Sequence, residues 1–183
     1  MSKVRIVGGS HRSRLIEVPD SAGLRPTPDR VRETLFNWLG QDLAGWRCLD
    51  LFSGSGVLGF EAASRGAREV VMVESAARVM ANLRATQARL ALPGVRLVAG
   101  DALRYLGGAP GLFDLILLDP PYRQGWLDRV APLLADALAP EAFVYVEAEE
   151  AVAALAGLEP VRQGKAGQVH YQLFKKPAPG ISA

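Results

Sequence analysis

Asp50-Leu51-Phe52-Ser53-Gly54-Ser55-Gly56-Val57-Leu58-Gly59 reads as the end of a strand, a glycine loop and the first turn of a helix. The apolar run over 48–52 supplies the strand. The helical pattern over 57–65 is stopped by Gly66. Gly54, Gly56 and Gly59 fit the spacing G-x-G-x-x-G, in which backbone approaches a ligand at a helix N-terminus. Outward from this stretch, short apolar runs at 70–74, 95–99, 115–119 and 143–147 alternate with helical patterns at 76–91 and 126–138. That alternation predicts an α/β fold, a parallel sheet with helices on both faces. Leu115 to Leu118 is uniformly apolar, as befits a central strand buried on both sides.

The two ends of the chain depart from this rhythm. Residues 160–162 and 169–174 flank the turn Lys165-Ala166-Gly167-Gln168 and predict a terminal hairpin that closes the sheet. Residues 4–9 and 15–18 predict two short strands around a basic loop, packed outside the main sheet. Thr27-Pro28-Asp29 offers an N-cap, a first-turn proline and a first-turn acid. Val31, Leu35, Trp38 and Leu39 then complete an amphipathic helix over 28–39.

With 183 residues, 49% of them hydrophobic and 22% charged, the chain has the composition of one globular domain, neither disordered nor fibrous. No apolar run approaches the ~20 residues that cross a bilayer. Residues 1–5 lead into no continuous apolar segment of the secretory kind, so a cytoplasmic location is expected. One cysteine, Cys48, and two histidines, His11 and His170, argue against a disulfide or a structural metal site, and no metal is expected. Net charge is only +2, but residues 1–32 carry seven basic side chains against three acidic ones, leaving the remainder at −2. Arginine outnumbers lysine 17 to 4, which suits phosphate contacts and equally suits solvated helix faces.

Three acids follow three successive predicted strands. Asp50 precedes the first glycine by four residues, where a carboxylate would repel a pyrophosphate and attract an ammonium. S-adenosylmethionine has the ammonium and lacks the phosphate. Glu74, 24 residues further on, can accept both ribose hydroxyls, and Asp101 is placed for the adenine amino group. The competing reading is that such acids only cap the following helices. Asp119-Pro120-Pro121-Tyr122 follows the most buried strand. Two prolines hold the backbone extended and remove donors, so the Asp119 carboxylate and the Pro120 carbonyl can accept from one exocyclic amino group. Tyr122 would stack on the base, a contact worth ~1–3 kcal/mol.

Together these residues resemble the class I methyltransferases that act on amino nitrogens. Arg5-Ile6-Val7-Gly8-Gly9, the stretch from Arg25 through Thr27-Pro28-Asp29-Arg30 to Leu39, and Lys165-Ala166-Gly167-Gln168-Val169 narrow the resemblance to the bacterial RsmD family. Ser53, where alanine is commoner, and the loop 10–14 depart mildly from it. The resemblance implies a three-layer, Rossmann-like fold whose mostly parallel seven-stranded sheet carries a C-terminal hairpin. It implies a basic extension over 1–44 for RNA contact and a methyltransferase domain over 45–183. Methyl transfer from S-adenosylmethionine to N2 of a guanine in 16S ribosomal RNA is the implied reaction, with a 30S subunit or assembly intermediate as substrate and a monomeric enzyme.

Expected cofactor contacts are Asp50, Phe52, Gly54, Ser55, Gly56, Glu74, Asp101 and Ala102; expected catalytic residues are Asp119, Pro120, Pro121 and Tyr122. Arg5, Arg12, Arg14 and Arg30 are expected at RNA. Asn37, like Arg30, lies off the apolar helix face and could meet substrate, cofactor or solvent. Cys48, at the start of its strand, is read as a packing residue, as are Trp38, Trp46 and Trp126, and His170 as a half-exposed strand residue rather than a general base. The nearest rival is a DNA adenine-N6 or cytosine-N4 methyltransferase, disfavoured because almost no residues remain for reading groove edges. Asp50 and the Asp-Pro-Pro-Tyr turn argue against an NAD-dependent oxidoreductase, and the complete acidic set against a non-catalytic RNA-binding module.

Overall fold

The computed structural model describes residues 1–20 and 24–180. The runs read as strands form β3 (Arg47–Asp50), β4 (Glu69–Glu74), β5 (Val95–Ala99), β6 (Phe113–Leu118) and β7 (Leu138–Ala148), and the hairpin is β8 (Glu159–Ala166) and β9 (Val169–Lys175). They make one seven-stranded sheet in the order β5-β4-β3-β6-β7-β9-β8. β3 to β7 pair in parallel, whereas β9 lies antiparallel between β7 and β8. The chain winds outward from β3 through β4 to β5, then returns to place β6 on the other side of β3. That reversal opens a crevice at the carboxyl ends of β3 and β6, where open α/β sheets bind ligands.

Alternation along the strands feeds two cores. Cys48, Val70, Met72, Leu115, Leu117 and Tyr145 pack on one face against α2 (Val57–Ser64), α3 (Ala77–Leu90) and the N-terminal elements. Leu49, Val71, Val73, Ile116, Leu118, Val144 and Val146 pack on the other against α4 (Ala102–Gly107) and α5 (Trp126–Leu134). α4 goes unread in the sequence because six residues are too few for a helical period to declare itself. The pattern read as helix to 138 ends at Leu134 in a 3₁₀ turn, because Leu138 already pairs with Phe113 of β6.

At the N-terminus, β1 (Ser2–Arg5) and β2 (Leu15–Val18) form a separate antiparallel pair, and β1 stops short of the glycines once read into it. Ile6 and Ile16 are nonetheless buried in the same core as Leu35, Phe36, Met80 and Tyr145. α1 spans Asp29–Leu39, with Pro28 as its N-cap and no side-chain cap. Thr27 therefore does not cap α1; its hydroxyl is taken by Glu147, as described below.

A fully buried ion cluster fastens this arm. Glu61 of α2 accepts from Arg32 Nη1 at 2.8 Å, from Arg65 at 3.2 Å and from the backbone N–H groups of Val7 and Gly8. Arg32, wholly shielded from solvent, also donates to the carbonyls of Arg5 and Thr27 and to Asp29. One of the seven positive charges counted in the arm is thus consumed inside the fold.

Candidate active site

Gly54 and Gly56 both adopt left-handed backbone, with φ of 54° and 87°. Gly56 is the N-cap of α2, so the loop turns directly from β3 into the helix. A Cβ on Gly54 would come within 2.8 Å of Leu24 and one on Gly56 within 2.5 Å of Phe60, so neither position admits a larger residue without displacement. Asp50 is buried beneath the loop, and its Oδ2 accepts from Gly59 N–H at 3.0 Å. Burial, reinforced by the charges of Glu74 and Glu147, pushes its carboxyl up to about 7.

Glu74 accepts from Gly54 N–H at 2.9 Å and from Ala76 N–H at 3.0 Å. Asp101 caps α4, accepting from Arg104 N–H at 3.0 Å. All three strand-end acids therefore do accept local backbone N–H groups, as the capping reading required. Capping does not exhaust them, because a carboxylate offers about four acceptor directions. Asp50 and Asp101 each commit one oxygen. Ser55 and Ala102 are buried beside these acids, and Phe52 meets Trp126 edge-on at 5.3 Å between ring centroids.

Across the crevice, Asp119 and Pro120 follow β6, and Tyr122 stands 42% exposed at the rim. Asp119 is raised well above the ordinary carboxylate range, first by desolvation, then by the neighbouring charges of Glu147 and Asp50. Glu147 occupies the next position on β7: Leu118 pairs with Val146, so Asp119 and Glu147 continue that parallel register. Glu147 Oε1 accepts from Thr27 Oγ1 at 2.6 Å and from Tyr145 OH at 2.7 Å. The sequence reading took Glu147 as a strand end and Thr27 as a helix cap, and did not single out Tyr145. The one available signal was that Glu147 closes an apolar strand at the same sheet edge as Asp50, Glu74 and Asp119.

The expected RNA contacts separate. Ser10 and His11 bond to Ser64, the last residue of α2, and His11 Nε2 bonds to the carbonyl of Leu90, the last of α3. Both helices end at the amino edge of the sheet, so Arg12 and Arg14 lie at the opposite end of the molecule from Asp119. Asn37 joins Arg12, Arg65 and Gln41 in a polar cleft there, and bonds Gln41 at 2.7 Å. Arg5 is exposed on β1. Arg30 is exposed in the first turn of α1, and Arg25, ahead of that helix, has a charge that counteracts the upward push that burial and Asp119 exert on the Tyr122 phenol.

Cys48, on the amino half of β3, is fully buried, and burial pushes its thiol far up, consistent with packing.

The family described as conserved hypothetical protein 95 matches residues 4–175. Ribosomal RNA small subunit methyltransferase D of Escherichia coli strain K12 is 42% identical over 187 residues, covering 98% of this chain and 93% of the relative. The chain belongs to the RsmD family. Among solved structures, yhhF of Escherichia coli matches this RsmD-family chain with a TM-score of 0.86 at 41% identity, covering 97% of it and all of that chain. An RNA methyltransferase from Salinibacter ruber, solved with S-adenosyl-L-homocysteine, shares the fold at a TM-score of 0.67 and 18% identity, over 87% of this chain and 98% of that one. The RsmD-family fold is that of class I methyltransferases, with the small antiparallel sheet added at the N-terminus.

Proposed function

We propose that this chain transfers a methyl group from S-adenosylmethionine to the exocyclic N2 of a guanine in 16S ribosomal RNA, acting in the cytoplasm as a monomer on a 30S subunit or its assembly intermediate. The observation that carries the reading is the juxtaposition, across one crevice, of the glycine loop with its carboxylates and the Asp119-Pro120 turn. The kinship with small-subunit methyltransferase D supports ribosomal RNA as the substrate class.

The residues present suit the cofactor. The loop turns on two left-handed glycines that carry no side chain of their own, Asp50 offers a carboxylate to an ammonium, Glu74 acceptors to ribose hydroxyls, and Asp101 with Ala102 a site for adenine. Phe52 and Ser55 border the same cradle. Bound there, the cofactor supplies a methyl group on a positively charged sulfur. Asp119 and the Pro120 carbonyl accept from the amino hydrogens, favouring a pyramidal nitrogen with an available lone pair, while Tyr122 and Pro121 hold the base in line. Rate enhancement on this scheme comes from positioning and polarisation.

Because Asp50 must ionise to attract the ammonium, S-adenosylhomocysteine affinity should rise about tenfold between pH 6 and 8. Asp50→Asn should flatten that dependence in calorimetric titrations at each pH. For the substrate class, radiolabelled cofactor is incubated with undermethylated 30S subunits and, separately, with plasmid DNA. Label is expected in the RNA of the subunit at guanine N2; incorporation into DNA alone would establish the adenine-N6 or cytosine-N4 alternative instead.

A further inference from the structure

Glu147 lies 4% exposed, with Thr27, which shortly precedes α1, bonded to it. Its Oε1 receives two hydroxyl donors, Thr27 at 2.6 Å and Tyr145 at 2.7 Å. The sheet register sets it beside Asp119, whose carboxyl is raised well above the ordinary range by burial first and by the Glu147 charge next. Two neighbouring carboxylates can only accept and repel each other, and one proton shared between them removes that repulsion. Thr27 is itself anchored, because the buried Arg32 donates to its carbonyl at 3.0 Å.

We propose that Glu147 is the positioning residue for Asp119, holding its carboxyl toward the substrate amino group through a shared proton, with Thr27 fixing Glu147. This rests on the reading of Asp119 as the acceptor at that amino group. With the shared proton between them, Asp119 keeps a free oxygen for an amino N–H. When the methylated nitrogen sheds its proton onto Asp119, the shared proton moves onto Glu147, and no charge is left isolated in the crevice. The other groups that face the pair are Asp50, Tyr122, Tyr145 and, through its charge, Arg32.

Glu147→Gln retains an oxygen for Thr27 and Tyr145 and turns an amide donor on Asp119. Turnover is expected to fall about 10²-fold, with KM for 30S subunits and the dissociation constant of S-adenosylhomocysteine within about twofold of the parent. An infrared titration of the protein alone supplies a readout independent of turnover. The parent should show a protonated-carboxyl band at neutral pH that Asp119→Asn removes, and Glu147→Gln should remove it too. Thr27→Val takes one donor from Glu147, raising its pKa, so the acid limb of kcat should move to higher pH; Thr27→Ser should restore it. Parental kcat in Glu147→Gln, an unchanged infrared band, or a Thr27→Val profile that does not move would each overturn the proposal. If Asp119→Asn keeps full activity, the reading of Asp119 itself fails.

Discussion

Asp119→Ala should lower kcat by about 10³-fold while the dissociation constant of S-adenosylhomocysteine stays within about twofold. The asymmetry follows from geometry. Asp119 follows β6, opposite the glycine loop, and has no bond to that loop or to the strand-end acids beneath it. Its acceptor gains value only as the amino nitrogen becomes pyramidal and its hydrogens more acidic, so the interaction belongs to the transition state. Alanine also removes the partner of Glu147, which then ionises alone against Thr27 and Tyr145 without disturbing β3 or β4. Initial-rate kinetics on 30S subunits, paired with calorimetry of S-adenosylhomocysteine, check both halves. Equal losses in rate and affinity would transfer Asp119 to cofactor binding.

The second large effect concerns stability. Glu61→Gln should cost about 3–5 kcal/mol of unfolding free energy. Glu61 is fully shielded and answers two guanidinium groups and two backbone N–H donors at once. Glutamine keeps one acceptor but turns donors toward Arg32, which has no route to water. The charge left behind, more than the lost attraction, sets the cost. Urea denaturation followed by circular dichroism measures it, and the difference should persist in high salt, because the cluster lies out of reach of mobile ions. Adding Arg32→Met should recover part of the loss; a change below about 1 kcal/mol in Glu61→Gln would mean that the arm is held by its apolar contacts alone.

Most strands of the parallel sheet were legible because each is a short apolar run ending in a glycine or an acid, a signal contained within a few residues. The glycine loop and Asp119-Pro120-Pro121-Tyr122 were legible for the same reason. What could not be read depends on distance along the chain. Thr27 looked like a helix cap, since local chemistry offered no better partner; its partner is 120 residues away. Arg32 was counted only as one of the basic charges of the N-terminal arm, although in the first turn of α1 it points into the core toward Glu61. Arg12 and Arg14 were grouped with the substrate-facing arginines by charge alone. Only the folding of their loop onto the ends of α2 and α3 sends them to the far edge.

The shared core beneath the N-terminal arm bears on how this architecture can be inherited. Ile6, Ile16, Leu35 and Phe36 complete the same apolar layer as Cys48, Met72 and Leu117, and Thr27 from that arm reaches the carboxylate beside Asp119. The arm is therefore no detachable accessory. Recombination that swapped it for another chain's leader would have to match a hydrophobic surface, a salt cluster and a hydroxyl donor at once, so the two parts are constrained to evolve as a single unit.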